Sequence, residues 1–132
     1  MTFWERSAEK RTAIGIIHDY VRETGNRAFT YTDLRTWYYS SGAHKRYRRD
    51  WHTVERLLRK LAEDGYLLRY RYKRTVRFLL PANCTEIAAI VARYRDAQAR
   101  GDYQTLREIV RTLMDQLGVD EYEVVRLLRG WK

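Results

Sequence analysis

Residues 66–81 alternate between apolar and polar side chains, and this two-residue period is typical of β-strands rather than helices. The segment reads YLLRYRYKRTVRFLLP. One side of the alternation comprises Leu68, Tyr70, Tyr72, Val76, Phe78 and Leu80, and the other comprises Leu67, Arg69, Arg71, Lys73 and Arg77. We therefore expect a β-hairpin that turns near Lys73–Arg74, lays one apolar face on a core and is closed by Pro81.

The rest of the chain has the three-to-four-residue apolar spacing of amphipathic helices. Before the hairpin, this spacing predicts helices over residues 7–24, 30–40 and 51–64. After the hairpin, three further helices are expected to begin near residues 83, 102 and 120. The sequence therefore predicts a mainly α fold with a small β-hairpin, which is an α+β class.

Polar residues at the helix starts support these boundaries, because a capping side chain satisfies backbone N–H groups that the first turn leaves unpaired. Thr30 and Asp33 form a variant of the capping box, and Phe29 and Leu34 occupy the positions of a hydrophobic staple. The other predicted caps and boxes are Thr2 with Glu5, Asp50, Asn83 with Glu86, Asp102, and Asp120 with Glu123.

The composition limits the class of protein. The 132 residues suffice for one domain or two very small ones, and the 45% of apolar residues can form a core. No apolar run approaches the ~20 residues of a membrane span. The first residues, MTFWERSAEKR, lack the apolar stretch of a signal peptide, and one cysteine cannot form an internal disulfide. These features predict an intracellular protein.

The net charge of +9 is distributed unevenly. Residues 1–81 hold 18 Lys and Arg against 9 Asp and Glu, whereas residues 82–132 hold 8 of each. Within residues 44–77 there are 12 basic and 4 acidic residues, so an excess of +8 lies in one quarter of the chain. A bias this local predicts a surface that binds a polyanion.

The order of three helices and a hairpin, with the basic charge on the third helix and the hairpin, resembles the winged helix-turn-helix family. The stretches that carry the resemblance are TVERLLRKLAEDGYL (53–67), LRYRYKRTVRFLL (68–80) and FTYTDL (29–34). The resemblance implies a nucleic-acid-binding domain over residues 1–81. Its recognition helix, residues 51–64, would enter the major groove of duplex DNA, and its wing, residues 67–80, would touch the backbone or minor groove. The size and composition favour a transcriptional regulator of an archaeon or an archaeal virus.

The resemblance, together with position on the helix, assigns roles to individual side chains. An α-helix fits the major groove, where arginine can pair with guanine, and Lys and Arg neutralise flanking phosphates. The candidates for base contact are His52, Thr53, Arg56 and Arg59. The candidates for backbone contact are Lys45, Arg46, Arg48, Arg49, Lys60, Arg71, Lys73 and Arg74.

The stretch LMDQLGVDEYEVVRLLRG (113–130) resembles a second, bare helix-turn-helix. Its last helix, however, begins with Asp120, Glu121 and Glu123, which repel phosphate. We therefore interpret residues 82–132 as a helical extension that forms a homodimer, because apolar residues surround much of that helix. The expected interface residues are Tyr122, Val124, Val125, Leu127, Leu128 and Trp131.

Catalysis finds no support in the sequence. Three His and one Cys have no metal-ligand spacing, and no glycine-rich phosphate loop or nucleophile motif is present. The prediction is a non-enzymatic protein without cofactor or metal. Two other readings stay open, a non-specific nucleic-acid packaging protein and a winged-helix adaptor between proteins.

Overall fold

The computed structural model describes residue 4, residues 7–83 and residues 86–132. Within these residues the chain forms seven helices and one three-stranded antiparallel sheet, which confirms a mainly helical α+β fold. The elements are α1 (Ala8–Thr24), β1 (Ala28–Thr30), α2 (Tyr31–Ser40), α3 (Ala43–Tyr47), α4 (Trp51–Glu63), β2 (Leu68–Tyr72), β3 (Thr75–Leu79), α5 (Ile87–Ala99), α6 (Tyr103–Leu117) and α7 (Glu121–Gly130).

Most predicted helix starts are confirmed. The Thr30–Asp33 capping box is complete, and the side chains of Asp50, Asp102 and Asp120 each accept a hydrogen bond from a backbone N–H of the first turn. The box predicted at Asn83 is wrong, because α5 begins after Glu86, and the Glu86 side chain makes no capping hydrogen bond. The predicted pair Thr2 and Glu5 lies outside the described residues.

Two short elements have no counterpart in the predictions. Strand β1 has three residues, which pair with β3, and helix α3 has five residues within a segment that was expected to be a loop. Neither element is long enough to show a repeating apolar pattern. Strand β1 nevertheless completes the sheet, whose order is β1-β3-β2.

The hairpin forms at the expected place, but both of its faces are buried rather than one. Tyr72 pairs with Thr75, so Lys73 and Arg74 are a two-residue turn, and Tyr70 pairs with Arg77. Directly paired residues share a face of a sheet. Tyr70 and Leu79 therefore lie on one face and Phe78 on the other, and the single apolar face predicted above is wrong.

Each face of the sheet covers its own hydrophobic cluster. The first cluster joins α1, α2 and α4 to Phe78, Leu67 and Leu80, and the second joins α5, α6 and α7 to Tyr70 and Leu79. The C-terminal helices therefore pack on the hairpin, and the second face of the sheet requires them.

This packing corrects the predicted dimer interface. Val124, Leu127 and Leu128 are buried in the second cluster of their own chain, and Trp131 packs against that cluster. Val125 is half-buried, and Tyr122 is exposed over 75% of its surface. The dimer interface is predicted because apolar residues surround much of α7. The second hydrophobic cluster, which includes Tyr70 and Leu79 of the hairpin, buries three of these residues, Val124, Leu127 and Leu128, within the chain.

Candidate nucleic-acid interface

Helix α4 separates an apolar face from a polar face as predicted. Its buried residues are Trp51, Val54, Leu57, Leu58 and Leu61. The four residues predicted to contact bases, namely His52, Thr53, Arg56 and Arg59, line one open surface depression, together with Asp50 and Glu55. The structure therefore brings the four side chains together on the outer surface of the helix, with His52, Thr53 and Arg56 in its first two turns and Arg59 in the third.

These side chains are accessible and weakly held. The His52 side chain is 95% exposed and lies 3.7 Å from Glu55. Arg56 lies 3.4 Å from Glu9 in an ion pair at the surface, and such a pair stabilises a protein by only about 0.2–1 kcal/mol. Arg59 is exposed and forms no ion pair with the described residues. A ligand would therefore displace little when it approaches this face.

Helix α3 is fixed to α1 through Asp19. The Asp19 carboxylate accepts hydrogen bonds from Tyr47 and from Arg46, the latter at 3.1 Å. Burial disfavours the charged carboxylate, but these hydrogen bonds outweigh burial and lower the pKa of Asp19. The small side of α1 at Gly15 accommodates Tyr47, since a Cβ there would lie 3.1 Å from the Tyr47 hydroxyl.

The predicted backbone-contact residues before α4 differ in whether other groups of the chain already bind them. Arg46 is paired with Asp19, and the Arg49 guanidinium donates to the carbonyls of Tyr47 and Arg48. Lys45 and Arg48 are exposed and have no ion pair among the described residues. The structure therefore leaves Lys45 and Arg48 more available to an anion than Arg46.

The remaining predicted backbone contacts lie on α4 and the hairpin. The Lys60 ammonium lies over the Trp4 ring at 5.1 Å, and the Lys73 ammonium lies 5.3 Å from the Tyr72 ring. Arg71 and Arg74 are exposed and form no ion pair within the described part of the chain. The hairpin tip thus presents exposed cations, and no acidic side chain of the described residues forms an ion pair with them.

Three of these cations have an unusual backbone conformation. Arg48, Lys73 and Arg74 have φ of 57°, 48° and 67°, and they are the non-glycine residues with positive φ in the described ranges. A two-residue hairpin turn with positive φ at both positions is normally built from Asn and Gly. The left-handed region costs an L-residue with a side chain about 1–2 kcal/mol. Basic residues therefore occupy positions at which other residue types would make the folded protein more stable.

The base of the hairpin contains a buried ionic cluster that the sequence did not reveal. Glu123 accepts from Arg77 at 2.8 and 2.6 Å, from the Tyr70 hydroxyl at 2.6 Å and from Arg126 at 3.1 Å. Only 7% of the Glu123 side chain and 17% of the Arg77 side chain are exposed. The cluster fixes α7 to β2 and β3.

The ionisation of this cluster follows from its contacts. Burial disfavours the carboxylate of Glu123, but the hydrogen bonds from Arg77 and Tyr70 prevail and lower its pKa. Burial and the hydrogen bond to Glu123 both raise the pKa of the Tyr70 hydroxyl. Glu123 had been assigned to the Asp120 capping box. Asp120 does accept from the Glu123 backbone N–H, but the Glu123 carboxylate is turned to the hairpin.

No group of three or more His, Cys, Asp and Glu side chains is placed to hold a metal ion among residues 4, 7–83 and 86–132. Over the same ranges, no helix combines the length and the apolar character needed to cross a membrane.

Comparison with known proteins gives no match: no protein family, curated protein or solved structure is significantly similar to this chain.

Proposed function

We propose that this chain is a winged-helix protein that binds duplex DNA in a sequence-specific manner and regulates transcription. The observation that carries the proposal is the shared, open position of His52, Thr53, Arg56 and Arg59 on the outer face of α4. Three exposed cations without an ion pair among the described residues precede and follow this helix in the chain, namely Lys45 and Arg48 before it and Arg74 at the hairpin tip.

The shape of the surface suits a duplex. A helix is narrow enough for the major groove, where guanine offers two acceptors to an arginine and the other bases offer distinct patterns. In helix-turn-helix proteins, base contacts come from the N-terminal part of the reading helix, and α4 holds His52, Thr53 and Arg56 in its first two turns. The flanking cations would fix the register on the phosphates without reading the sequence.

The order of the elements supports the same proposal. Helices α1, α2 and α4 pack in one cluster, and the hairpin follows α4 in the chain and contributes Phe78 to that cluster. This is the arrangement that the winged-helix resemblance predicts. Homodimerisation is left out of the proposal, because three of the residues assigned to its interface are covered within the chain.

The experiment is a selection on random duplex DNA followed by titration of the enriched and random sequences. We expect one enriched motif and a slope of log K against log salt of about −4 or steeper, if about five phosphates are contacted. Enrichment of no motif, with tight binding to all sequences, would favour the packaging protein instead. The absence of binding to any duplex would favour the adaptor.

A pair of variants then separates base reading from phosphate contact. Arg56→Ala should cost about 1–3 kcal/mol on the selected motif and relax the preference for it. Lys45→Ala, which removes an exposed cation before α4, should weaken binding to the selected and the random duplexes by the same factor. Equal behaviour of the two variants on both duplexes would rule out α4 as the reading helix.

A further inference from the structure

A second basic surface lies at the edge strand β2 of the sheet, beside the end of α7. Its concavity is lined by Arg69 and Arg71 of β2 and by Trp131 and Lys132, which follow α7. We call this concavity the β2-edge surface. No acidic residue lines it among the described residues, and its three cations form no ion pair there.

The close approach of α7 to β2 creates this surface. A Cβ at Gly130 would lie 2.1 Å from the carbonyl oxygen of Arg71, so only glycine permits the observed distance. Trp131 packs against the second hydrophobic cluster, and its carbonyl accepts from Arg95 of α5 at 2.6 Å. These contacts hold the end of α7 in place and bring Lys132 beside two arginines of β2 from which it is distant in sequence.

The surface is continuous with the basic part of the hairpin. Arg69 pairs with Phe78 and Arg71 with Val76, so both arginines lie on the face of the sheet that covers the α4 cluster. Alternate residues of a strand are spaced by roughly 7 Å. Arg69 and Arg71 therefore form a row of two cations along β2 that leads toward the tip, with a spacing similar to that of successive phosphates on one DNA strand.

We propose that the β2-edge surface binds the phosphate backbone of the same duplex, outside the base pairs that α4 contacts. The proposal rests on the proposed function, since it extends that interface. The surface is open and lined by side chains from two separate elements, and no Asp or Glu side chain of the described residues lines it. The C-terminal region, which is neutral overall, would thus contribute directly to binding through Lys132.

The test compares two double variants that each remove two exposed cations. Arg69→Ala with Lys132→Ala alters the β2-edge surface, whereas Arg107→Ala with Arg111→Ala alters the exposed side of α6. Each double variant is titrated against two DNA duplexes that carry the selected motif. One duplex holds the motif alone, and the other adds one helical turn, about 10 base pairs, on each side. Circular dichroism confirms that both variants are folded.

We expect the wild-type protein to bind the longer duplex more tightly than the shorter one. The Arg69 and Lys132 variant should lose this advantage, and its slope of log K against log salt on the longer duplex should fall by about 2, at about 0.9 per phosphate. The Arg107 and Arg111 variant should behave like the wild type. Equal losses for the two variants on the longer duplex would overturn the inference, as would a loss that is the same on both duplexes. A wild-type protein that binds neither duplex would instead overturn the proposed function itself.

Discussion

The β2–β3 hairpin has an arginine at its tip and another at its base, and the two differ in exposure and in pairing. Arg74 at the tip is exposed, forms no ion pair with the described residues and has a positive φ. Arg77, three residues later, is mostly buried and donates two hydrogen bonds to Glu123. The base of the hairpin is built for stability, whereas its tip gives up stability and presents charge to solvent. An arginine count alone would have treated the two residues as equivalent.

The largest expected effect comes from removing the carboxylate at the base. Glu123→Ala leaves the Arg77 cation and the Tyr70 hydroxyl buried without their partner, and breaking a buried pair in this way costs about 3–5 kcal/mol. Glu121→Ala is the matched control, because it removes an exposed carboxylate from the same turn and should cost at most about 1 kcal/mol. Urea unfolding measures both. Similar losses in the two variants would show that Arg77 and Glu123 contribute no more than surface charges.

A smaller loss is expected when the contact between α7 and the hairpin is obstructed. Gly130→Ala places a methyl group against the backbone of Arg71, and overpacking of this kind costs about 1–3 kcal/mol. Gly15→Ala is the control, because its methyl group would meet only the movable side chain of Tyr47 and alanine favours the helix by about 1 kcal/mol. In thermal unfolding, Gly130→Ala should therefore have a clearly lower midpoint temperature than Gly15→Ala. The reverse order would contradict the close packing of α7 on β2.

The base should also be the acid-sensitive part of the hairpin. The pKa of Glu123 is lowered on folding, so its stabilising contribution is complete above the unfolded value of about 4.3 and is lost as the pH falls through the folded value. Glu123→Gln cannot titrate at this position. The difference in unfolding free energy between wild type and Glu123→Gln should therefore be largest near neutral pH and shrink below about pH 4. A difference that stays constant from pH 7 to pH 3 would show that Glu123 ionisation does not contribute.

The smallest change in stability, and one of opposite sign, is expected at the tip. Lys73→Asn with Arg74→Gly supplies the residues that positive φ favours and should raise the unfolding free energy by about 1–2 kcal/mol. The same change removes two cations and should weaken DNA binding. Lys73→Gln with Arg74→Gln is the control, since it removes the charges and keeps the unfavourable conformation. If the Asn-Gly variant were no more stable than the Gln-Gln variant, the tip would not be strained.

The sequence predicted much of the fold and the exposed face of α4 because both depend on local periodicity. Trp51, Val54 and Leu57 recur at helical spacing, so the opposite residues had to face outward. The register of the hairpin could not be obtained in this way. Alternation shows that a strand has two faces, but the number of residues in the turn decides which faces of two strands coincide. Lys73 and Arg74 gave no signal for a two-residue turn, because neither is a typical turn residue.

The ionic cluster was hidden for a related reason. An acidic residue in the first turn of a helix is explained by capping and by the helix dipole, so Glu123 needed no distant partner. Its pairing with Arg77 spans 46 residues and depends on α7 lying across the hairpin. The packing of α7 on the hairpin also buries Val124, Leu127 and Leu128, which the sequence analysis predicts at a dimer interface.

The close approach of Gly130 to Arg71 also bears on how the sheet meets other proteins. In a two-residue hairpin the pair that closes the turn exchanges hydrogen bonds and the next pair does not, so the N–H and C=O of Arg71 point away from β3. An exposed strand edge of this kind is a template for intermolecular strand addition and aggregation. Gly130 lies against those atoms, and the opposite edge strand, β1, has only three residues. The end of α7 therefore shields the longer edge of the sheet from misassembly, and Gly130→Ala would raise the tendency to aggregate as well as lower stability.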